Sequence, residues 1–238
     1  MGYFLAKMPF DVRFHHPANI FVMGPSQSGK TSFIYKFLKY RNILMNPTPK
    51  TVIYVYSSQH PLVDKMVKEG IVHKVLKNLP ENQDSLEKIT KMYKDEGCIL
   101  VIDDALSQMR SYLPQIFEVI SHRDNCTVLF VTQNAFIDSS VFRRIKENCH
   151  YYVVMKHAKN SLKVKNLALQ MDSCNIDYIM DAHRDAVKLK KPRNEKNPLI
   201  YGYLIMDQRP FANDHTRIRT SIFPDEEEPV CIYTEKSH

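Results

Sequence analysis

The chain predicts an α/β fold: a mostly parallel central sheet with helices on both faces, in a single domain. Two observations carry this. Short apolar bursts alternate with amphipathic segments along the sequence, the pattern of strands joined by crossover helices. Two of those bursts also end in chemistry, one in a glycine-containing loop and one in a pair of acids, as expected at the carboxyl edge of such a sheet.

The first burst, Ile20–Met23, is followed by Gly24–Thr31 and then by Ser32–Leu38, which reads as a helix. Thr51–Tyr56, β-branched and aromatic, comes after the turn signal Asn46-Pro47-Thr48-Pro49 and predicts a second strand. Helical spacing of Leu86, Ile89 and Met92 predicts a helix over Asp84–Tyr93. Cys98–Ile102 is the third strand. Ala105–Ile120 reads as a helix broken near Pro114. Thr127–Thr132, helix Ser139–Glu147 and Tyr151–Met155 follow, then helical stretches at Ser161–Met171 and Asn175–Ala186, a basic loop Lys188–Pro198, and a sixth strand over Leu199–Met206. The nucleotide core is expected over about 18–156, with a C-terminal extension over about 157–238 and no second-domain boundary.

Gly24–Thr31 reads GPSQSGKT, which fits the phosphate-binding pattern G-x-x-x-x-G-K-[ST] between a strand and a helix. Gly24 and Gly29 are expected at positive φ, turning the amides of Pro25–Ser32 toward one concavity (Pro25 itself has no N–H). The residues Gly24, Pro25, Ser26, Gln27, Ser28, Gly29, Lys30, Thr31 and Ser32 are therefore the candidate binding loop for ATP. Lys30 would reach the β- and γ-phosphates, and Thr31 would ligate Mg²⁺.

Hydrolysis needs a metal anchor and a group that orients water. The run Cys98–Ile102 ends in Asp103-Asp104, at the tip of a buried strand. Asp103 is assigned to Mg²⁺ through a water, since Mg²⁺ dehydrates reluctantly, and Asp104 to the attacking water; a solvated strand-end turn, or Asp104 capping a following helix, is the structural alternative. Gln133 follows the next strand and is the candidate sensor, hydrogen-bonding the γ-phosphate or the attacking water, with Asn134 in reserve. Arg123 precedes that strand, so its polarity places it at the opposite edge, where it would serve a neighbouring subunit's ATP; Arg143 and Arg144 are rivals, and a surface salt bridge is the plainer role.

Composition bounds the partners. The net charge is +7, with basic stretches at Lys156–Lys165 and Lys188–Lys196 and an acidic cluster at Asp225–Glu228, a pattern suited to a polyanion or to a solvated basic face. No apolar run approaches the ~18 residues that cross a bilayer. Ala6 breaks the myristoylation pattern that Met1-Gly2 begins, and no signal-peptide organisation is seen. The five dispersed cysteines read as reduced core thiols of an intracellular protein.

The order GPSQSGKT, ILVIDD, SHRDNCTVLFVTQNAF and then RIRTSIFP resembles the FtsK–HerA-type genome-packaging ATPases, in particular the poxvirus-like and Polinton (Maverick)–adintovirus group. The resemblance spans about Asn19 to Val230. It implies a P-loop fold with an additional strand between the phosphate-loop strand and the magnesium strand. It also implies a homo-oligomeric ring, hexamer or pentamer, with ATP at subunit interfaces and double-stranded DNA driven into a capsid, with a capsid or portal partner. The location it implies is the host nucleus or viral factory, and the virion. This chain departs from the pattern at Asp104, where glutamate is common, at Ala135-Phe136, which lacks the usual leucine, and in showing no nuclease domain. A nucleoside or nucleotide kinase and a non-catalytic, nucleotide-dependent DNA-binding assembly protein remain the alternatives.

Overall fold

The computed structural model describes residues 11–104, 110–133, 140–156, 161–171, 176–188, 201–226 and 229–234. Its strands are β1 (Phe14–His15), β2 (Asn19–Met23), β3 (Met45–Asn46), β4 (Thr51–Tyr56), β5 (Lys74–Lys77), β6 (Cys98–Ile102), β7 (Cys126–Thr132), β8 (Tyr151–Met155), β9 (Tyr203–Asp207), β10 (Ile218–Thr220) and β11 (Cys231–Tyr233). Nine of them form one sheet in the order β11-β10-β9-β8-β2-β7-β6-β4-β5, while β1 and β3 pair separately. From β8 to β5 every pairing is parallel; β8–β9, β9–β10 and β10–β11 are antiparallel. β7 lies between β2 and β6, so the sheet has the additional strand that the resemblance implies.

The central strands are buried throughout and mostly apolar because both faces are covered. Phe21, Met23, Ile53, Leu100 and Phe130 belong to one buried cluster, and Ile20, Val22, Val52, Ile99 and Leu129 to the other, the alternation that period-two side chains impose. Helix α1 (Lys30–Lys39) covers the second face with Phe33, Ile34, Phe37 and Leu38. Leu113, Ile116, Phe117 and Ile120, with Val164, Leu167 and Ala168, cover the first.

Several expectations change. Pro114 starts its helix rather than breaking it, since proline is tolerated in a first turn where its missing N–H has no partner to lose. The segment then continues as a π-helical stretch, Ile116–Ile120, and ends at Arg123. Residues 105–109 of the expected helix lie outside the described residues. The last expected strand is displaced to Tyr203–Asp207. Helix Pro61–Lys68 and strands β1, β3, β5, β10 and β11 are additional to the expected elements. Asp225 and Glu226 do not form a separate acidic tail. Asp225 pairs with Lys36 at 3.0 Å, and Glu226 Oε2 accepts from Tyr203 Oη and the Phe223 amide. Of the second basic stretch only Lys188 is among the described residues, and Cys174 lies outside them. Cys98, Cys126 and Cys149 are free and buried; Cys231 is free but half-buried.

Candidate nucleotide site

Gly24, Gln133 and Asp103 each follow the last residue of adjacent strands β2, β7 and β6. Met23 pairs with Thr132, and Ile102 with Phe130, so the three positions reach one edge of the sheet. Two inter-strand spacings, about 10 Å, separate the loop strand from the acid strand. Asp103 and Asp104 lie near enough to Lys30 for their charges to act on it.

Within the loop the two glycines do different work. Gly29 has φ 93° and caps the N-terminus of α1. Gly24 is not at positive φ; it is needed for close approach, because a Cβ there would lie 2.5 Å from Ser28 Oγ and 2.6 Å from Met155 Cβ. The left-handed residue in the middle of the loop is Gln27, at φ 61°. Pro25 accepts a 3.3 Å bond from the Ser28 amide, which closes the turn, while Ser26 and Gln27 are exposed. Ser28 Oγ is buried without a protein partner, and α1 has no acid in its first turn. A loop whose concavity a methyl group would fill, with a buried hydroxyl to satisfy and a helix N-terminus behind it, fits a phosphate chain.

Lys30 Nζ donates to the carbonyls of Gly24 (2.9 Å) and Pro25 (2.8 Å). Burial lowers its pKa, and Asp103 and Asp104 oppose that shift. Thr31 and Ser32, half-buried in the first turn of α1, follow it.

Both acids are held by β4 and the residue just past it. Asp103 Oδ2 accepts a 2.6 Å bond from Tyr54 Oη, its Oδ1 accepts the Asp104 amide at 2.9 Å, and its own amide donates to the Val55 carbonyl. Burial and the adjacent Asp103 charge raise the Tyr54 pKa well above its ordinary value, so Tyr54 stays a donor. Asp104 adopts φ 56°, and its Oδ2 accepts from Ser57 Oγ at 2.7 Å. Tyr54 and Ser57 were not among the expected site residues. The predicted strand Thr51–Tyr56 ends at the ligand edge, but that these residues face the acids depends on β4 lying beside β6, which no local pattern shows.

Gln133 is exposed beside the loop; Asn134, Ala135 and Phe136 lie outside the described residues. Arg123 is at the far edge, ahead of β7, and is not brought to the loop. It donates to Glu87 Oε2 at 2.7 Å and to Asp124 Oδ1 at 2.9 Å. Arg144 is paired with Glu118, and Arg143 is exposed.

The strand order and this site define the fold of the P-loop NTPases. Among solved structures the chain is similar to B204, the genome packaging NTPase of Sulfolobus turreted icosahedral virus 2, in complex with sulfate (TM-score 0.53, 14% identity, covering 81% of this chain and 92% of that one). The same protein in complex with AMPPCP gives TM-score 0.51 at 13% identity, over 93% of this chain and 99% of that one. At such identity the likeness is one of fold. No protein-family model matches the chain, and no curated protein does. Among the described residues no helix is long and apolar enough to cross a membrane.

Proposed function

We propose that this chain is an ATPase that moves double-stranded DNA into a viral or virus-like capsid. The observation that carries the nucleotide part is the meeting, on one sheet edge, of the Gly24–Thr31 loop with the Asp103–Asp104 pair across an intervening strand. The packaging part is supported by the ordered motifs and by the shared fold with B204, a genome packaging NTPase.

In this reading the loop amides and Lys30 hold the polyphosphate, Lys30 exchanging carbonyl partners for phosphate oxygens. Asp104, held by Ser57, orients the attacking water, and Gln133 hydrogen-bonds the γ-phosphate or that water. The Thr31 hydroxyl and Asp103 would hold Mg²⁺; a carboxylate has about four lone-pair positions, so Asp103 retains acceptor capacity beside its bonds to Tyr54 and Asp104. When bound, the metal supplies positive charge against the polyphosphate. The chain works as one ATPase domain in a homo-oligomeric ring, hexameric or pentameric, inside the infected host cell and in the virion, with a capsid or portal protein as its partner. Arg123 reaches a neighbour's nucleotide by exchanging Glu87 and Asp124. Lys156, Lys165 and Lys188 contribute sequence-independent contacts to DNA phosphates.

The test is ATP hydrolysis by the purified chain with Mg²⁺, with and without duplex DNA. Turnover that rises with DNA is expected. Folded protein with no turnover under either condition would end this reading.

A further inference from the structure

A cleft of about 560 Å³ lies at the end of the strands away from the phosphate loop, and none of the chemistry above uses it. His15 and Pro17 come before β2, His122 before β7 and His150 before β8, so this wall belongs to the edge opposite Gly24, Asp103 and Gln133. The five residues of β2 put about 17 Å between the two edges. The remaining wall comes from the connection between β9 and β10, through Arg209, Phe211 and Thr216. That connection is braced. Arg217 Nη1 donates to the carbonyls of Asp207 (3.2 Å) and Arg209 (3.0 Å), the Ala212 amide closes a turn on Arg209, and the Gln208 amide donates to the His150 carbonyl. On this fixed loop Phe211 is 100% exposed, so its ring buries nothing within the chain.

The charges around the cleft leave a surplus of cation. Arg209 grips Asp207 through two bonds, Nε to Oδ1 at 3.0 Å and Nη2 to Oδ2 at 2.8 Å. Arg219, buried at 1% exposure, approaches the same Oδ2 at 3.7 Å. Both guanidinium groups also lie over the Tyr151 ring, at 5.0 and 5.9 Å. Two cations thus draw on one carboxylate, and Arg219 Nε and Nη2 have no acceptor among the described residues. The other acids here are already matched, Asp11 with Arg13 at 2.9 Å and Asp214 with Arg217 at 2.6 Å. His150 adds a donor. Burial lowers its pKa to about 4 and keeps the ring neutral, and its Nδ1 accepts the Asn19 amide, so its hydrogen sits on Nε2.

We propose that this cleft seats a backbone phosphate of double-stranded DNA, with Arg209 as the anchoring cation and Phe211 against the adjoining sugar. The inference rests on the packaging reading and adds to it a contact surface on the face away from the nucleotide. A phosphodiester is an acceptor-only group, which suits a wall of guanidinium and imidazole donors, and it comes attached to an apolar sugar face that a bare ring can cover. His122 is also the residue before Arg123, so a phosphate held there lies next to the arginine assigned to a neighbour's nucleotide.

The experiment follows the anisotropy of a labelled blunt-ended DNA duplex over a range of salt, with the full chain and with Arg209→Gln and Phe211→Ala. Melting curves establish folding, and Phe211 is too exposed for its loss to unfold the chain. Arg209→Gln is expected to weaken binding about tenfold and to flatten the slope of log affinity against log salt by about one. Phe211→Ala should weaken binding about threefold with that slope unchanged, because an apolar contact releases no counterion. ATP affinity should be the same in all three proteins. DNA affinity and slope unchanged in both folded variants would overturn the cleft assignment and leave the packaging reading standing. A matching loss of ATP affinity would also overturn it, by showing damage that reaches the other edge. Labelled poly-glutamate that binds as tightly as DNA, and loses as much in both variants, would give the cleft to an acidic protein instead. Wild-type protein that binds no DNA would overturn the packaging reading itself, and this inference with it.

Discussion

Ser57 Oγ lies 2.7 Å from Asp104 Oδ2 and donates to it, so the residue just past β4 fixes the carboxylate just past β6. Asp104 is also in the left-handed region, at φ 56°, where aspartate is one of the few tolerated residues. The short acid therefore has a defined direction in a place where a longer one is common in the family it resembles. Ser57→Ala is expected to lower kcat about tenfold with little change in the KM for ATP, since it removes a positioning bond rather than a binding contact. Ser57→Thr should restore most of the rate. A kcat unaffected by Ser57→Ala would separate this serine from catalysis.

The two glycines at Gly29 and Gly70 give a paired comparison. Both have positive φ, 93° and 68°, so either Gly→Ala change carries a backbone cost of about 1–2 kcal/mol. Nothing lies within 4 Å of a Cβ at Gly70, whereas a Cβ at Gly29 meets the Tyr201 ring. Gly29→Ala should abolish tripolyphosphate binding, and Gly70→Ala should only lower the melting temperature. Equal effects of the two substitutions on binding would contradict the close-approach argument.

Lys30→Ala removes the one side-chain cation of the phosphate loop and the bonds it makes to the Gly24 and Pro25 carbonyls. Those carbonyls can turn to solvent, so a stability loss of no more than about 1 kcal/mol is expected. Hydrolysis should fall below detection. A variant that still turns over ATP at a comparable rate would exclude Lys30 from the reaction.

Arg123 carries two separable expectations. Within one chain, Arg123→Ala removes partners from Glu87 and from the buried Asp124, which keeps its 2.6 Å bond from Thr90. A loss of about 1–2 kcal/mol is expected by chemical denaturation, because the guanidinium is itself partly exposed. Between chains, the proposed role requires ATP binding to persist while turnover is lost. Mixing with Lys30→Ala protein should then recover part of the activity; no recovery with both proteins folded and assembled would confine Arg123 to its in-chain pairs.

Glu87 supplies a pH signature for the same cluster. Its hydrogen bond from Gln83, with Lys91 and Arg123, holds its carboxyl down to about 2, against 4.5 ordinarily. A carboxylate depressed in the folded state contributes stability above its unfolded value and loses it as pH falls through its folded one. Its contribution should thus be complete above about pH 4.5 and gone near pH 2. Glu87→Gln should lower the melting temperature at pH 7 and converge with wild type as acid is added. A constant gap across that range would show that another property of the side chain is responsible.

Most of the central sheet was legible because its strands are buried on both faces and read as continuous apolar runs: Thr51–Tyr56, Cys98–Ile102 and Tyr151–Met155 keep their expected bounds. The edges were not. β5 is the four-residue KVLK, with alternating exposure, and β10 and β11 have three residues each, too short for a period to register. The loop and the acids were readable because their chemistry demands a local pattern. Tyr54 and Ser57 were not, because their roles arise from strand adjacency, β4 beside β6, which is a non-local fact. Asp225 and Glu226 show the opposite failure: a local acidic run read only as a charge cluster, but long-range partners on α1 and β9 decide its place.

β8 is where the sheet changes sense, hydrogen-bonded in parallel to β2 on one side and antiparallel to β9 on the other. Shortening the polypeptide just beyond Met155 would strip that second side bare, leaving the β9-facing amides and carbonyls of a five-residue buried strand unpaired. Such a rim invites another molecule to zip onto it. Fragments trimmed to the first two-thirds of the sequence should therefore precipitate or cross-associate rather than persist as a minimal enzyme.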